Sequence, residues 1–424
     1  MCGGGDWGTA ARTSLHATLP LSTLPPRCLV AGLLPGTASG RFSSVRLLLA
    51  NLSPAMSAPR PSTSVDRSQR QYNFSAGPAT LPEEVLLEVK DELPVYDHVG
   101  ASVLEISHRS PTYDAIEESA REHLRALLGL GDDWHILFLQ GGARMQFHQV
   151  PLNFLPEDGS ADYVVTGRWG RMALEEAQMI GTARAAASSE DDDYRRIPAV
   201  DTWDLDPDAA YVHTTTNETV NGNQLRSDPV LDVPVVTDAS SEMLSRPMDL
   251  DGYGLIYAGA QKNIGPAGVT LVLVHDAFLQ RRTQPLPTML DYGTHAERRY
   301  NTPPVFAIYM VEKVCRWLRT RGGLDAIHAV NKRKARTLYN KIDETDFYRG
   351  TVASEDRSLM NVTFRLHDPD LEPVFLKKAE AHGLMGLTGH RSVGGVRASL
   401  YNAMPEEGVE ALVAFMDAFE RAHG

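Results

Sequence analysis

The sequence predicts an α/β protein: a mainly parallel sheet covered on both faces by helices, followed by a smaller α+β domain. Three observations carry this reading. Six short apolar runs alternate with helical stretches between residues 136 and 274, the pattern of repeated strand–helix–strand units. After about Asn301 this alternation gives way to two long helical stretches and then mixed strands and helices. The chain has 424 residues, enough for two domains and a large core.

Taken in order, Pro82-Glu83-Glu84 opens a helix, with proline in the first turn and acids at the positive end of the dipole; Pro94 ends it. Tyr113–Leu128 sets Ile116, Ala120, Leu124, Leu127 and Leu128 on one helical face. The strand candidates are Ile136–Leu139, Tyr163–Thr166, Ala210–His213, Val233–Thr237, Leu255–Ala258 and Val269–Val274. Beyond them come a helix over about Val305–Arg319, a longer one through Leu338, and a strand at Asn361–Phe364. A helix near Leu371–His382, a strand at Gly394–Leu400 and a last helix from Glu406 complete the chain. The expected organisation is an atypical extension (1–70), a large domain (71–320) whose first residues can join the small one, and a small domain (321–424).

Composition narrows the function class. The net charge is −13, distributed unevenly: residues 1–70 hold seven arginines, no lysine and two acids, about +5, leaving the remainder near −18. An acidic body argues against nucleic-acid binding. No apolar run approaches the roughly 18 residues of a membrane span. Cys2, Cys28 and Cys315 suggest neither a disulfide framework nor a zinc site, so no metal and a reducing compartment are expected. The extension reads either as a transit peptide or as the product of a start assigned upstream of Met56. Cytoplasm is the expected location, or an organelle matrix if the extension is a transit peptide.

Lys262 is the most informative residue. It follows the apolar run Leu255–Tyr257 and precedes Val269–Val274 in a loop rich in Gly and Pro. A lysine lodged between buried strands has a lowered pKa and a nucleophilic amine, the condition for a Schiff base with an aldehyde cofactor. The bland alternative is a solvated loop lysine. One strand earlier, Asp238 ends Val233–Thr237, where ligands collect in open parallel sheets. There it can pair with a protonated pyridine nitrogen, as an Asp does in pyridoxal phosphate enzymes, or it can simply cap a helix.

Further candidates sit after other strands. Gln140-Gly141-Gly142-Ala143-Arg144 offers glycines and free helix N–H groups for a phosphate, or forms a plain turn. Trp169, in Gly167-Arg168-Trp169-Gly170, can stack on an aromatic cofactor or fill a core. Thr214–Thr219 supplies hydroxyls that bind a cofactor or form a polar turn. Basic clusters lie at His108-Arg109, Arg298-Arg299, His390-Arg391 and Arg397. Arginine forks match carboxylates and phosphates. Arg397, inside an apolar strand, needs a partner or a function; Arg298 and Arg299 read as solvated.

These motifs together resemble the phosphoserine aminotransferase family, fold-type I pyridoxal phosphate enzymes of the class-V aminotransferases. The matching pieces include Asn73-Phe74-Ser75-Ala76-Gly77-Pro78, Ser107-His108-Arg109, Asn217-Glu218-Thr219, the segment Ala258–Gly268, Asn301-Thr302-Pro303-Pro304, Gly389-His390-Arg391 and Arg397-Ala398-Ser399. The resemblance runs from about Tyr72 to the end. It implies a seven-stranded, mainly parallel sheet and pyridoxal 5'-phosphate as cofactor. Lys262 is then the Schiff-base lysine, Asp238 the partner of the ring nitrogen and Trp169 the stacking residue. Ala143, Arg144, Thr219 and Gln261 become cofactor contacts. Asn301 and Thr302 reach the phosphate from the neighbouring subunit of a homodimer with shared sites. His108, Arg109, His390, Arg391 and Arg397 clamp the substrate anions. Phosphoserine and glutamate, with their oxo acids, are the implied substrates, in serine biosynthesis, and phosphohydroxythreonine, in pyridoxine biosynthesis, is a further one. Ala143 departs from the Gly that many relatives carry, a methyl tolerated unless φ must be positive.

Three rivals weigh against this. A cysteine desulfurase needs a mobile cysteine, and Cys315 lies in an apolar helical pattern. An aminotransferase for unphosphorylated serine or alanine does not need so many cations. A non-catalytic dimer has no reason to keep both Lys262 and Asp238.

Overall fold

The computed structural model describes residues 70–424; the expected N-terminal extension, apart from Arg70, and with it Cys2 and Cys28, lies outside the described residues. The elements follow in order: β1 (Tyr72–Asn73), α1 (Glu83–Glu92), α2 (Pro111–Leu128), β2 (Trp134–Leu139), α3 (Gly142–Phe154), β3 (Ser160–Val165), α4 (Arg168–Gln178) and β4 (Thr182–Ser188). Then come β5 (Val212–Thr215), β6 (Val235–Asp238), β7 (Tyr253–Gly259), β8 (Thr270–His275), α5 (Asp276–Leu279), α6 (Tyr292–Glu297) and α7 (Val305–Thr320). The last are α8 (Gly323–Glu344), β9 (Tyr348–Gly350), β10 (Asn361–Leu366), α9 (Glu372–Ala381), β11 (Leu384–Met385), β12 (Val396–Ser399) and α10 (Glu406–His423).

Local chemistry sets several boundaries. Helix α2 begins where the Ser110 hydroxyl accepts the Tyr113 N–H, with Pro111 next, and ends at Gly129 in the left-handed region (φ 68°). Helix α1 carries Glu83 and Glu84 in its first turn.

The large sheet has the order β2-β8-β7-β6-β5-β3-β4. Neighbours from β7 through β4 pair in parallel, while β8 runs antiparallel to both β7 and β2. Six strands therefore point one way, and their carboxyl ends share one edge. The alternation of side chains along a strand divides the core in two. In β7, Ile256 and Ala258 join the cluster containing Tyr309, Val311 and Leu318 of α7. Leu255 and Tyr257 join the opposite cluster, with Phe147, Val150 and Phe154 of α3. Strands β6 and β7 are buried along their whole length, as expected with helices on both faces.

Strand β4 was not expected. Its sequence, Thr-Ala-Arg-Ala-Ala-Ala-Ser, has no large apolar residue, and it lies at the sheet edge with β3 as its single neighbour. An edge strand needs little burial, so the hydrophobic signal is absent.

The second sheet is antiparallel, in the order β12-β10-β9. With α9, α10 and part of α8 it encloses a core that includes Phe364, Phe375, Leu412 and Phe419. Strand β1 pairs in parallel with β11, tying residues near 72 to this region. Helix α8 serves both cores. Leu324 and Ile327 pack into the large-sheet cluster, whereas Ala335, Leu338 and Ile342 pack into the small one. The change of core thus falls inside the helix.

Candidate active site

The topology carries the loops after β2, β3, β5, β6 and β7 to one edge, where α/β sheets bind ligands. A cavity of about 400 Å³ opens there, lined by residues of all five loops and by His390 and Arg397 from the small-sheet region.

Lys262 lies three residues past β7 and is 9% exposed. Its Nζ donates to Thr219 Oγ1 at 2.7 Å and Ser241 Oγ at 2.6 Å. Burial pulls the amine down to about 8, against Asp238 and Glu218, which raise it; Arg397 adds to the lowering. From 10.5 to about 8 is a differential of about 3 kcal/mol against the charged form. The solvated-loop alternative does not hold.

Asp238, the last residue of β6, also lines the cavity. Burial raises its carboxyl, opposed by Lys262 and by Ser240, whose N–H donates to Oδ1 at 2.9 Å. The carboxylate therefore forms a local turn and faces the cavity at once.

Helix α3 begins at the carboxyl end of β2. Gly141 and Gly142 have φ of 94° and 71°, and no side chain caps the helix. Its first N–H groups are open to an anion. Ala143 is not among the positive-φ residues, so its methyl costs nothing there. The Arg144 guanidinium lies 5.4 Å from the Trp169 ring. Trp169 sits in the first turn of α4 and lines the cavity. Gln261, beside Lys262, lines it too.

Arg397 of β12 donates from Nη1 to the Thr219 carbonyl at 3.2 Å. Its Nε, Trp169 Nε1 and Thr215 Oγ1 are buried without partners, and all three residues line the cavity. Unpaired buried donors are costly unless a ligand meets them. A flat ring with an anionic tail fits this donor set, and the pyridoxal phosphate implied by the resemblance has that form. Lys262, Asp238, Trp169, Thr219, Gln261 and the α3 N-terminus would hold it.

Five expected residues do not converge here within one chain. Asn301 donates to Gln140 Oε1 at 2.6 Å and, like the exposed Thr302, lies off the cavity. His108 and Arg109 lie beside Arg299, which donates to the His108 carbonyl at 2.7 Å. Arg391 is exposed and does not line the cavity, unlike its neighbour His390. Arg299, read as solvated, is at the surface but held by Glu117 (2.7 Å) and Asp114 (3.0 Å).

Two functional residues escaped sequence reasoning. Ser241 shares Lys262 with Thr219; the signal was the pair Ser240-Ser241, one residue beyond the Ala239 that follows Asp238. Glu218, fully buried, accepts the N–H groups of Trp169 (3.1 Å) and Gly170 (2.8 Å). It stands in the matching piece Asn217-Glu218-Thr219, but nothing there marks a bond to residues 169 and 170. Cys315 is buried, and burial raises its thiol well above the ordinary range, so it is not the mobile nucleophile a desulfurase needs.

Comparison with known proteins agrees with this geometry. The aminotransferase class-V family model matches residues 71–412. Phosphoserine aminotransferase of Niallia circulans is 49% identical over 361 residues, spanning 84% of this chain and 100% of the relative. The solved structure of phosphoserine aminotransferase from Bacillus circulans subsp. alkalophilus superposes with a TM-score of 0.82 at 49% identity, over 84% of this chain and 99% of that one. The crystal structure of phosphoserine aminotransferase from Trichomonas vaginalis, with PLP bound, gives 0.79 at 38% identity, over 82% and 100%. With the Lys262 and Asp238 edge in place and a match along nearly the whole described chain, the protein belongs to the class-V aminotransferases and, among them, to the phosphoserine aminotransferase family.

Proposed function

We propose that this chain exchanges an amino group between O-phospho-L-serine and 2-oxoglutarate, reversibly forming 3-phosphohydroxypyruvate and glutamate, with pyridoxal phosphate as cofactor, in serine biosynthesis. The observation that carries the reading is Lys262, buried among hydroxyls with its amine lowered to about 8, on the same sheet edge as Asp238.

When bound, pyridoxal phosphate supplies an aldehyde that condenses with amines and a ring that takes up an electron pair. The rest is the work of this chain. Asp238 would place its carboxyl group against the ring nitrogen, where pairing favours a proton on that nitrogen. Trp169, which lines the cavity, would cover one face of the ring. Thr219 and Ser241 hold Lys262 Nζ in place. Near neutral pH a base whose pKa is about 8 can take a proton from the substrate Cα and give it back. Arg397, whose pKa is lowered by burial but which stays cationic, binds the substrate carboxylate.

Both substrates carry a second anion, and of the five expected clamp residues one chain brings His390 and Arg397 to the cavity. This supports a homodimer in which His108 and Arg109 of one subunit complete the anion clamp of the other, while Asn301 and Thr302 reach the cofactor phosphate.

A coupled assay with phosphoserine and 2-oxoglutarate should form glutamate, and Lys262→Ala should abolish both turnover and the visible absorbance of the lysine-bound cofactor. Undiminished transamination by that variant, or a preference for unphosphorylated serine, would refute the reading.

A further inference from the structure

Glu218 is fully buried in the loop after β5, and none of the steps above uses it. Its carboxylate receives two main-chain donors: Trp169 N–H to Oε2 at 3.1 Å and Gly170 N–H to Oε1 at 2.8 Å. These are the first-turn amides of α4, an 11-residue helix whose N-cap, Gly167, has no side chain to satisfy them. The approach is possible because residue 167 is a glycine, while a methyl at 170 would meet Glu218 only at ordinary contact distance. A Cβ on Gly167 would stand 2.4 Å from Glu218 Cδ, and one on Gly170 3.5 Å from Glu218 Oε1. The Glu218 backbone is itself fixed, with its N–H donating to the Asn223 carbonyl at 3.0 Å and its carbonyl accepting from Gly222 at 2.8 Å. The next residue, Thr219, accepts from Lys262 Nζ at 2.7 Å.

We infer that Glu218 is the positioning residue for Trp169: its carboxylate caps α4 from a distant loop and so sets the indole against the cavity that receives the cofactor ring. An ordinary N-cap sits on the helix it caps and fixes only that helix. Here the cap comes from the loop that also carries Thr219, so the stacking residue and the lysine's partner are placed by one side chain and its neighbour. Burial pushes the carboxyl up to about 7, with the two amides and Lys262 opposing that rise. Such a buried group is retained where its hydrogen bonds are needed.

The inference rests on the proposed function, and its test separates the two. Glu218→Gln keeps the size and one acceptor; Glu218→Ala keeps neither. In the cofactor-free protein, hydrogen exchange in the first turn of α4 should speed up about tenfold in the Gln variant and more in Ala, since hydrogen bonds to a charged acceptor are lost. The dissociation constant for pyridoxal phosphate should rise about tenfold, and the indole emission should shift. The decisive comparison is the double variant Glu218→Gln with Trp169→Ala. It should bind pyridoxal phosphate no more weakly than Trp169→Ala alone, because Glu218 acts through the ring at position 169. Independent, multiplying losses would overturn the inference, as would a Gln variant with unchanged exchange and affinity. If Glu218→Ala is insoluble, Gly167→Ala tests the same seat and should match the Gln variant. Wild-type protein that does not bind pyridoxal phosphate overturns the proposed function instead.

Discussion

Lys262 is held by two hydroxyls, and among the described residues no carboxylate lies within ion-pair distance of it. That choice of partner decides its chemistry. A carboxylate at contact would hold the amine charged, whereas hydroxyls let burial dominate. The consequence is measurable in the cofactor-free protein. The folded pKa of about 8 lies below the ordinary 10.5, so folding disfavours the charged amine. The cost is fully present below pH 8 and disappears as the pH rises toward 10.5. In chemical denaturation at pH 7, Lys262→Met should be the more stable form by up to about 3 kcal/mol, an advantage that shrinks above pH 8. A pH-independent difference would mean that the amine is not responsible. At Arg397, replacement by Ala should raise the KM for phosphoserine and glutamate by about a hundredfold and leave cofactor absorbance in place. Loss of cofactor would show that this guanidinium serves the cofactor instead.

At the scale of elements, helix α8 and the turn after β12 place the arginine-bearing strand. Lys334 of α8 is 1% exposed and donates to the carbonyls of Leu400 (2.7 Å), Tyr401 (2.7 Å) and Met404 (3.0 Å). Beside it, Asn361 of β10 links the loop after β5 to β12: it accepts from Asn217 Nδ2 at 2.8 Å and donates to Ser399 Oγ at 3.0 Å. Tyr401 then donates to the Ala76 carbonyl at 2.8 Å. These satisfied buried polar groups fix the register between Thr219 and Arg397. The apolar side of α8 supplies the stability. Leu338, fully buried in the small core, should cost about 3 kcal/mol on replacement by Ala in urea denaturation. A loss under ~1 kcal/mol would indicate that the site collapses freely around the gap.

For the whole molecule, the arrangement of His108, Arg109, Asn301 and Thr302 off the cavity leads to an expectation about assembly. In a dimer with shared sites, Lys262→Ala and Arg109→Ala damage different subunits' contributions to one site. Mixing the two inactive variants should restore about a quarter of the wild-type rate, since half the dimers are mixed and each has one intact site. No recovery, with mixed dimers verified by mass, would place Arg109 in the same subunit's site or outside any site.

Periodicity and composition were enough to establish the α/β architecture, the strand-ending Asp238 and the glycine-flanked Lys262, because those signals lie within a few residues of chain. Strand β4 was illegible because an edge strand of Ala, Ser and Thr buries too little to leave a hydrophobic pattern. The change of core within α8 was illegible because apolar residues along one helix do not show which of two cores they join. The roles of Ser241 and Glu218 were not legible locally, because they act on residues 21 and 49 positions away. By itself the sequence determined which chemical groups stand at the ends of which strands. Only the tertiary structure decided that five of those ends share one edge, and that Lys262 loses its water there. Burial and through-space distance set a pKa, and neither exists until strands far apart in the chain are packed side by side.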